Sequence, residues 1–225
     1  MKVTIFHGSD HIIKKPVFGK GKKYNDYGLG FYCTEDVALA SEWAVGIDHD
    51  GFANEYELDT SDLKILNLND KNYSILNWLA ILLENRIFAI NVPLTIAAKD
   101  YLIKNFKPDY ESYDVIIGYR ADDSYFGYAN SFIRGTINLD QLKKAMVLGK
   151  LGTQIVLKSE KAFKKLKYVK STEALRKDYL KNKKNRDENA RKDYKDIVLK
   201  ELDLKGIFIQ DILREEMKSD DKRIR

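Results

Sequence analysis

Apolar and polar positions along the 225-residue chain change period several times, and each change marks an element. Val3 to Phe6 reads as a first strand that delivers His7 at its end. From Ser9 to Gly30 the chain is rich in Lys, Gly, Tyr and Asn and carries Pro16, which is loop chemistry. Phe31 to Cys33 is a short strand. Thr34 is then placed as a helix N-cap, with Glu35 and Asp36 in the first turn and Val37, Ala40, Ala44 and Ile47 at helical spacing behind it. Glu55–Leu58 and Leu63–Leu66 are short extended pieces. Tyr73 to about Ile90 and Thr95 to Phe106 show helical periodicity, punctuated by Pro93 and Pro108.

Val115-Ile116-Ile117 is an apolar run of the buried-strand kind. Asp123–Ile133 and Leu139–Leu148 read as helices, with Gly135 and Gly149 as stops. Gln154–Leu157 is a further strand, and a short helix follows from Glu160 to Leu166. From about Ser171 the composition shifts: Lys, Arg, Asp and Glu dominate and proline is absent. One charged helix is expected up to Lys200, and a second carries Ile207, Ile209, Ile212 and Leu213 on an apolar face. Residues 1–170 are therefore expected to form one domain, and 171–225 a charged helical C-terminal appendage.

Composition narrows the class. Hydrophobic residues at 44% and aromatics at 12% suffice for a sizeable core. The net charge of +5 permits a polyanionic partner without demanding one. Cys33, the single cysteine, lies among apolar neighbours and reads as a small buried residue rather than a nucleophile. The N-terminal apolar run is too short for a signal peptide, and Trp78–Leu83 is far too short for a membrane span, so a cytoplasmic location without membrane contact is expected. His7, His11 and His49 lack metal-ligand spacing with cysteines or carboxylates, and no metal is expected. Gly19-Lys20-Gly21-Lys22 lacks the spacing and the Ser/Thr of a phosphate-binding P-loop.

Three features stand in order: His7-Gly8-Ser9, then Gly28-Leu29-Gly30-Phe31-Tyr32, then a helix with Ala40 and Trp43. This set resembles the NAD-binding half of the ADP-ribosyltransferases, closest to the poly(ADP-ribose) polymerase branch. More narrowly it resembles a family of uncharacterised bacterial domains placed in that superfamily. The run Phe18–Tyr32, the segment Gly118-Tyr119-Arg120-Ala121-Asp122-Asp123 and the segment Gln154–Glu160 carry that narrower likeness, over roughly residues 3 to 170.

The resemblance implies a cofactor-binding set of His7, Gly8, Ser9, Gly30, Tyr32, Trp43 and Arg120. His7 would bond the adenosine ribose, with its ability to donate and accept. The Gly8 backbone would pair with the nicotinamide carboxamide, its missing side chain letting the ligand approach. Tyr32 and Trp43 would offer π-faces to the cationic pyridinium ring. Ala40 stands where the polymerases place a carboxamide-binding serine, and neighbouring Ser41 points elsewhere on a helix. Arg120 would pair with the pyrophosphate or with Asp122.

Transferring members carry a glutamate at the start of a late strand, where this chain has Gln154. An amide orients a ribose but supplies no negative charge, and such stabilisation is commonly worth ~3 kcal/mol. Asp123, after the Val115–Ile117 strand, and Glu160 are the alternative charge sources, with Asp123 preferred; Asp122 and Asp123 read equally well as caps of the helix that follows.

The implied activity is cleavage of the nicotinamide–ribose bond of NAD and transfer of ADP-ribose to a macromolecular acceptor, protein or nucleic acid. That is glycosyltransferase chemistry with NAD as co-substrate. The family's small, basic members resemble toxin or defence effectors, which implies a small neutralising partner protein. Two other readings stay open: an NAD- or ADP-ribose-binding module with weakened catalysis, and a nucleic-acid-binding protein. The last draws on Lys14, Lys15, Lys20, Lys22 and Lys23, interleaved with Phe18, Tyr24 and Tyr27, which either contact phosphates or form a solvated loop. The expected fold is α+β: an ADP-ribosyltransferase-like split, mostly antiparallel sheet with inserted helices around an NAD cleft.

Overall fold

The computed structural model describes the chain apart from residues 89, 122, 149–151, 201–204 and 225, and only the backbone of 123, 124, 199 and 200. Strand β1 (Lys2–Ser9) pairs antiparallel along its length with β3 (Gly51–Asp59), from Lys2 opposite Asp59 to Ser9 opposite Phe52. β7 (Leu166–Ala174) pairs antiparallel on the other side of β3, completing a three-stranded sheet. The second sheet has the order β2 (Phe31–Cys33), β6 (Thr153–Leu157), β5 (Val115–Tyr119), β4 (Ile65–Asn67). Its pairs are antiparallel except β4 with β5. The fold is α+β.

Alternation explains why β5 and β6 are continuous apolar runs. Val115, Ile155 and Leu157 face a cluster shared with Ile5, Tyr56 and Leu58 of the first sheet. Ile116 and Val156 face the opposite way, into the main core. With both faces buried, the stretches Val115–Ile117 and Ile155–Leu157 have no room for polar residues. The main core is built largely from α2 (Ile75–Asn85), α3 (Pro93–Phe106), α4 (Asp123–Ile133) and α5 (Leu139–Ala145), which are inserted between strands of the second sheet. Each insertion leaves the sheet and returns, which turns one face of the sheet into the floor of a helical layer.

Helix α1 (Val37–Ala44) is capped by Asp36, whose Oδ1 accepts from the Ala38 and Leu39 amides at 2.8 and 3.2 Å. Thr34, the expected cap, instead exchanges backbone hydrogen bonds with Phe6 at 2.7 and 2.9 Å, joining the two sheets. Ile47 lies beyond the helix and is exposed. Ser159 caps α6 (Glu160–Lys164), and α6 ends before Leu166 because β7 begins there. The expected stop Gly149 lies outside the described residues.

The C-terminal region departs most from expectation. β7 runs through residue 171, so the expected domain boundary cuts a strand. After β7 comes α7 (Arg176–Lys200), and then α8 (Ile209–Arg214) puts Ile209 and Ile212 into the main core, where Met217 and Ile224 join them. The region is part of the folded body rather than an appendage. Among the described residues no helix is long and apolar enough to cross a membrane.

Candidate functional site

The segment from Asp10 to Gly30 has no helix or strand, so its course depends on side-chain anchors. Fully buried Asn54 on β3 holds its start. The Asn54 amide nitrogen donates to the His7 carbonyl at 3.2 Å and the Ser9 hydroxyl at 3.1 Å; its oxygen accepts from the Ile13 amide at 3.0 Å and the Ser171 hydroxyl at 2.7 Å. At the other end the half-buried Lys158 ammonium donates to the Tyr27 and Leu29 carbonyls at 2.6 and 2.8 Å. Burial lowers its pKa. The buried Asp26 carboxylate accepts from the Ala121 amide at 2.8 Å and from Arg86 at 3.2 Å. Gly28 adopts φ 71, and a Cβ there would overlap the Asn85 side chain.

These anchors shape a cleft of about 1090 Å³, at the upper end of sizes typical of small-molecule sites. His7 lines it from the end of β1. Its Nδ1–H donates to the Tyr32 carbonyl at 2.7 Å, and its ring stacks on Phe31 at 4.3 Å. A carbonyl only accepts, so the proton sits on Nδ1 and Nε2 is left as an acceptor. Burial lowers the His7 pKa below its usual 6.5, against the opposing effect of the Tyr32 hydrogen bond. The imidazole is therefore neutral near neutral pH.

Tyr32 points to the other face of β2. Its hydroxyl donates to the Gly28 carbonyl and accepts from the Tyr27 amide at 3.2 Å. Burial pushes its pKa far up, so the phenol stays protonated. Gly8 also lines the cleft, but its missing side chain is required by α1: a Cβ there would overlap the Ala40 carbonyl oxygen. Trp43 lies on α1, and the Arg120 guanidinium covers its ring at 4.2 Å. The stacking aromatic and the basic residue read from the sequence thus meet each other.

Gln154, at the start of β6, is buried to 6% exposure and lines the cleft. Its Oε1 has no hydrogen-bond partner among the described residues, and neither has the buried Trp43 Nε1. One is an acceptor and the other a donor. Orphan groups of this kind are costly in a sealed core and are expected where a ligand is to supply the partner.

The cleft therefore brings together His7, Gly8, Gly30, Tyr32, Trp43, Arg120 and Gln154. Ser9 does not line it; its hydroxyl is taken up by the turn into the loop, donating to the His11 carbonyl. Glu160 does not line it either, but sits beside a separate depression with its carboxylate 3.8 Å from Lys164. Its place at the first turn of α6 follows from the Ser159 cap. Asp122 and the side chain of Asp123 lie outside the described residues.

Among the described residues the carboxylates that line the cleft are others: Asp26, Glu42 and Asp187. Each bonds an arginine, namely Arg86, Arg186 and Arg191. A cleft wall that sequence reasoning missed is α7, which contributes Leu180, Lys183, Lys184, Asp187 and Ala190 at helical spacing. The stripe is mostly polar, so no apolar period signals it. Lys183 donates to the Val45 carbonyl at 3.1 Å, just past the C-terminus of α1, where a cation is favoured. With Lys15, Lys20, Arg86 and Arg120 on the other walls, cations outnumber carboxylates around the cleft. No cluster of three or more His, Cys, Asp and Glu able to hold a metal occurs among the described residues. Cys33 is buried, and burial pushes its thiol pKa well up.

A family model described as "Protein of unknown function (DUF3990)" matches residues 3–168, well over half of the chain. The chain belongs to that family. The match ends within β7, so the α7 wall of the cleft lies beyond it. No curated protein and no solved structure matches the chain.

Proposed function

We propose that this member of the family is an NAD-dependent ADP-ribosyltransferase that breaks the nicotinamide–ribose bond and passes ADP-ribose to a macromolecular acceptor. The observation that carries this reading is the pair of buried, unpartnered atoms in one cleft, Gln154 Oε1 and Trp43 Nε1. A dinucleotide has ribose hydroxyls to donate to the first and carbonyl or phosphate oxygens to accept from the second. The neutral His7 supports it, with Nε2 able to accept from a ribose hydroxyl. The cationic lining suits a pyrophosphate. The two mostly antiparallel sheets with inserted helices are compatible with an ADP-ribosyltransferase-like split sheet, and that finer fold assignment belongs to the same proposal. An effector role, a small neutralising partner and a cytoplasmic location come with it by resemblance.

In this reading His7 holds a ribose, Tyr32 braces the ring-binding wall through its bond to Gly28, and Gln154 orients the ribose that loses nicotinamide. The test is chromatography of NAD incubated with purified protein. Released nicotinamide that is abolished by His7→Ala supports the proposal. The proposal is ruled out if the wild type neither releases nicotinamide nor binds NAD.

A second reading, a binding module with weak catalysis, is favoured by one observation: every carboxylate among the described lining residues is bonded to an arginine, and Gln154 is neutral. NAD binding without turnover, together with new nicotinamide release by Gln154→Glu, would select it.

A further inference from the structure

The segment from Lys14 to Tyr24 holds five lysines and no carboxylate. Its charge equals the net +5 of the whole chain, so all other residues together sum to zero. Residues 161–170 also hold five lysines and no carboxylate, but four of those are ion-paired: Lys161 with Asp114, Lys164 with Glu160, Lys165 with Asp62 and Lys170 with Glu55.

The charge of residues 14–24 is not used internally. Several lysines elsewhere are paired: Lys165 with Asp62 at 3.1 Å, Lys107 with Glu84 at 2.6 Å, Lys2 with Glu57 at 2.8 Å. Among the described residues Lys14, Lys15, Lys20, Lys22 and Lys23 have no carboxylate within ion-pair distance. The segment also leaves apolar surface in water. Tyr24 is 65% exposed, Val17 52% and Phe18 45%, and Phe18 is propped edge-on by Phe163 at 5.6 Å. Anchored on both sides by Asn54, Asp26 and Lys158, the segment is held against the body while its middle faces outward. Its position is the second observation. Lys15 and Pro16 line both the main cleft and the depression of about 350 Å³ beside Phe163, and Lys20 lines the cleft, so the surface runs directly into the site.

We propose that residues 14–24 form a docking surface for single-stranded nucleic acid that leads into the cleft. Unpaired lysines track a phosphodiester backbone, and exposed aromatic faces stack on bases. A duplex hides its base faces, and the segment offers no helix or ribbon to enter a groove, so the single strand is the form that fits. An acidic protein would answer the charge but leave the aromatic faces unused. The docking stands by itself; that the docked strand is the acceptor of ADP-ribose rests on the function proposed above. In that transfer the ribose–nicotinamide C–N bond breaks with its electron pair going to nicotinamide. An oxygen or nitrogen of the strand bonds the anomeric carbon, and the proton of that nucleophile leaves to solvent.

The test is fluorescence anisotropy of the full chain with a labelled single strand, in DNA and RNA versions, without NAD. The same strand as a duplex and poly-glutamate serve as competitors. The expected result is binding that weakens steeply with salt and that the single strand competes for better than either competitor. Lys22→Glu with Lys23→Glu should lower the slope of log affinity against log salt by about one to two. Tyr24→Ala should weaken binding about fivefold or more with the slope unchanged. No binding, equal competition by duplex or poly-glutamate, or indifference to all three substitutions overturns the docking surface. Adding labelled NAD separates the two claims. Label on the strand supports the acceptor assignment, and nicotinamide released without label on the strand overturns it. No release at all counts against the proposed activity, while the docking surface is judged by anisotropy alone.

Discussion

Arg186 grips Glu42 through two parallel hydrogen bonds, Nε to Oε2 at 3.0 Å and Nη2 to Oε1 at 2.8 Å. Glu42 is only 5% exposed at its side chain and immediately precedes Trp43. One bidentate pair thus ties the long polar helix α7 to the helix that carries an aromatic wall of the cleft. α7 is mostly polar; its apolar contacts are Tyr179 and Leu180 against Ala44, Val45 and Ala174, buried Ala190, Val198 at the main core, and Tyr194 stacked on Tyr128 at 4.0 Å. The pair therefore positions α7 more than it adds net stability.

Arg186→Ala strands a buried carboxylate, and the expected cost is about 3 kcal/mol in urea unfolding. Removing both charges with Glu42→Gln and Arg186→Met should restore most of that loss. Amide exchange in α7 should quicken in the single variant more than exchange in the β5–β6 core. An Arg186→Ala protein as stable as wild type would show that the pair carries no such load.

His7 makes stability depend on pH. Its folded pKa lies below the usual 6.5 because burial disfavours the imidazolium. Between the folded and unfolded values the unfolded chain binds more protons, so stability rises with pH through that window. Going the other way, it is lost as pH falls below about 6.5 towards the folded value. Compared with His7→Gln, the wild type should lose additional stability on acidification in urea titrations at stepped pH. Parallel curves for the two proteins would refute the assignment of a buried neutral imidazole.

Asn54 is the hub from which the loop beside the cleft departs. Asn54→Ala leaves the Ile13 amide and the Ser171 hydroxyl without this acceptor, and should cost about 2–3 kcal/mol in denaturant unfolding. Asn54→Asp should cost more, because a carboxylate cannot donate to the His7 and His11 carbonyls it would face. Protease cleavage between residues 10 and 24 should accelerate in both.

Some of this architecture was legible from sequence and some was not, for physical reasons. β5 and β6 stand out because both their faces are buried, so Val115–Ile117 and Ile155–Leu157 are unbroken apolar runs. β7 does not stand out, because Lys167 and Lys170 face solvent from an edge strand and dilute the alternation. The cap at Asp36 rather than Thr34 lies below the resolution of capping preference, since both residue types suit the position. In the site, His7, Tyr32 and Trp43 belong to the ordered set in the sequence, Arg120 and Gln154 follow from the resemblance, and all five share one cleft. The cleft's carboxylates were not readable. Asp26 comes from a loop, Glu42 finds its partner Arg186 only through the fold, and Asp187 comes from a helix far along the chain. The packing of α7 against α1, α4 and α5 brings Asp187 to the site.

The central claim is that this cleft binds NAD, and calorimetric titration of NAD into the full chain tests it most directly. The account predicts one saturable site, weakened about tenfold or more when His7→Ala removes the ribose acceptor and Tyr32→Ala removes the wall beside it. Absence of saturable binding at millimolar NAD, or binding that both substitutions leave unchanged, would contradict it.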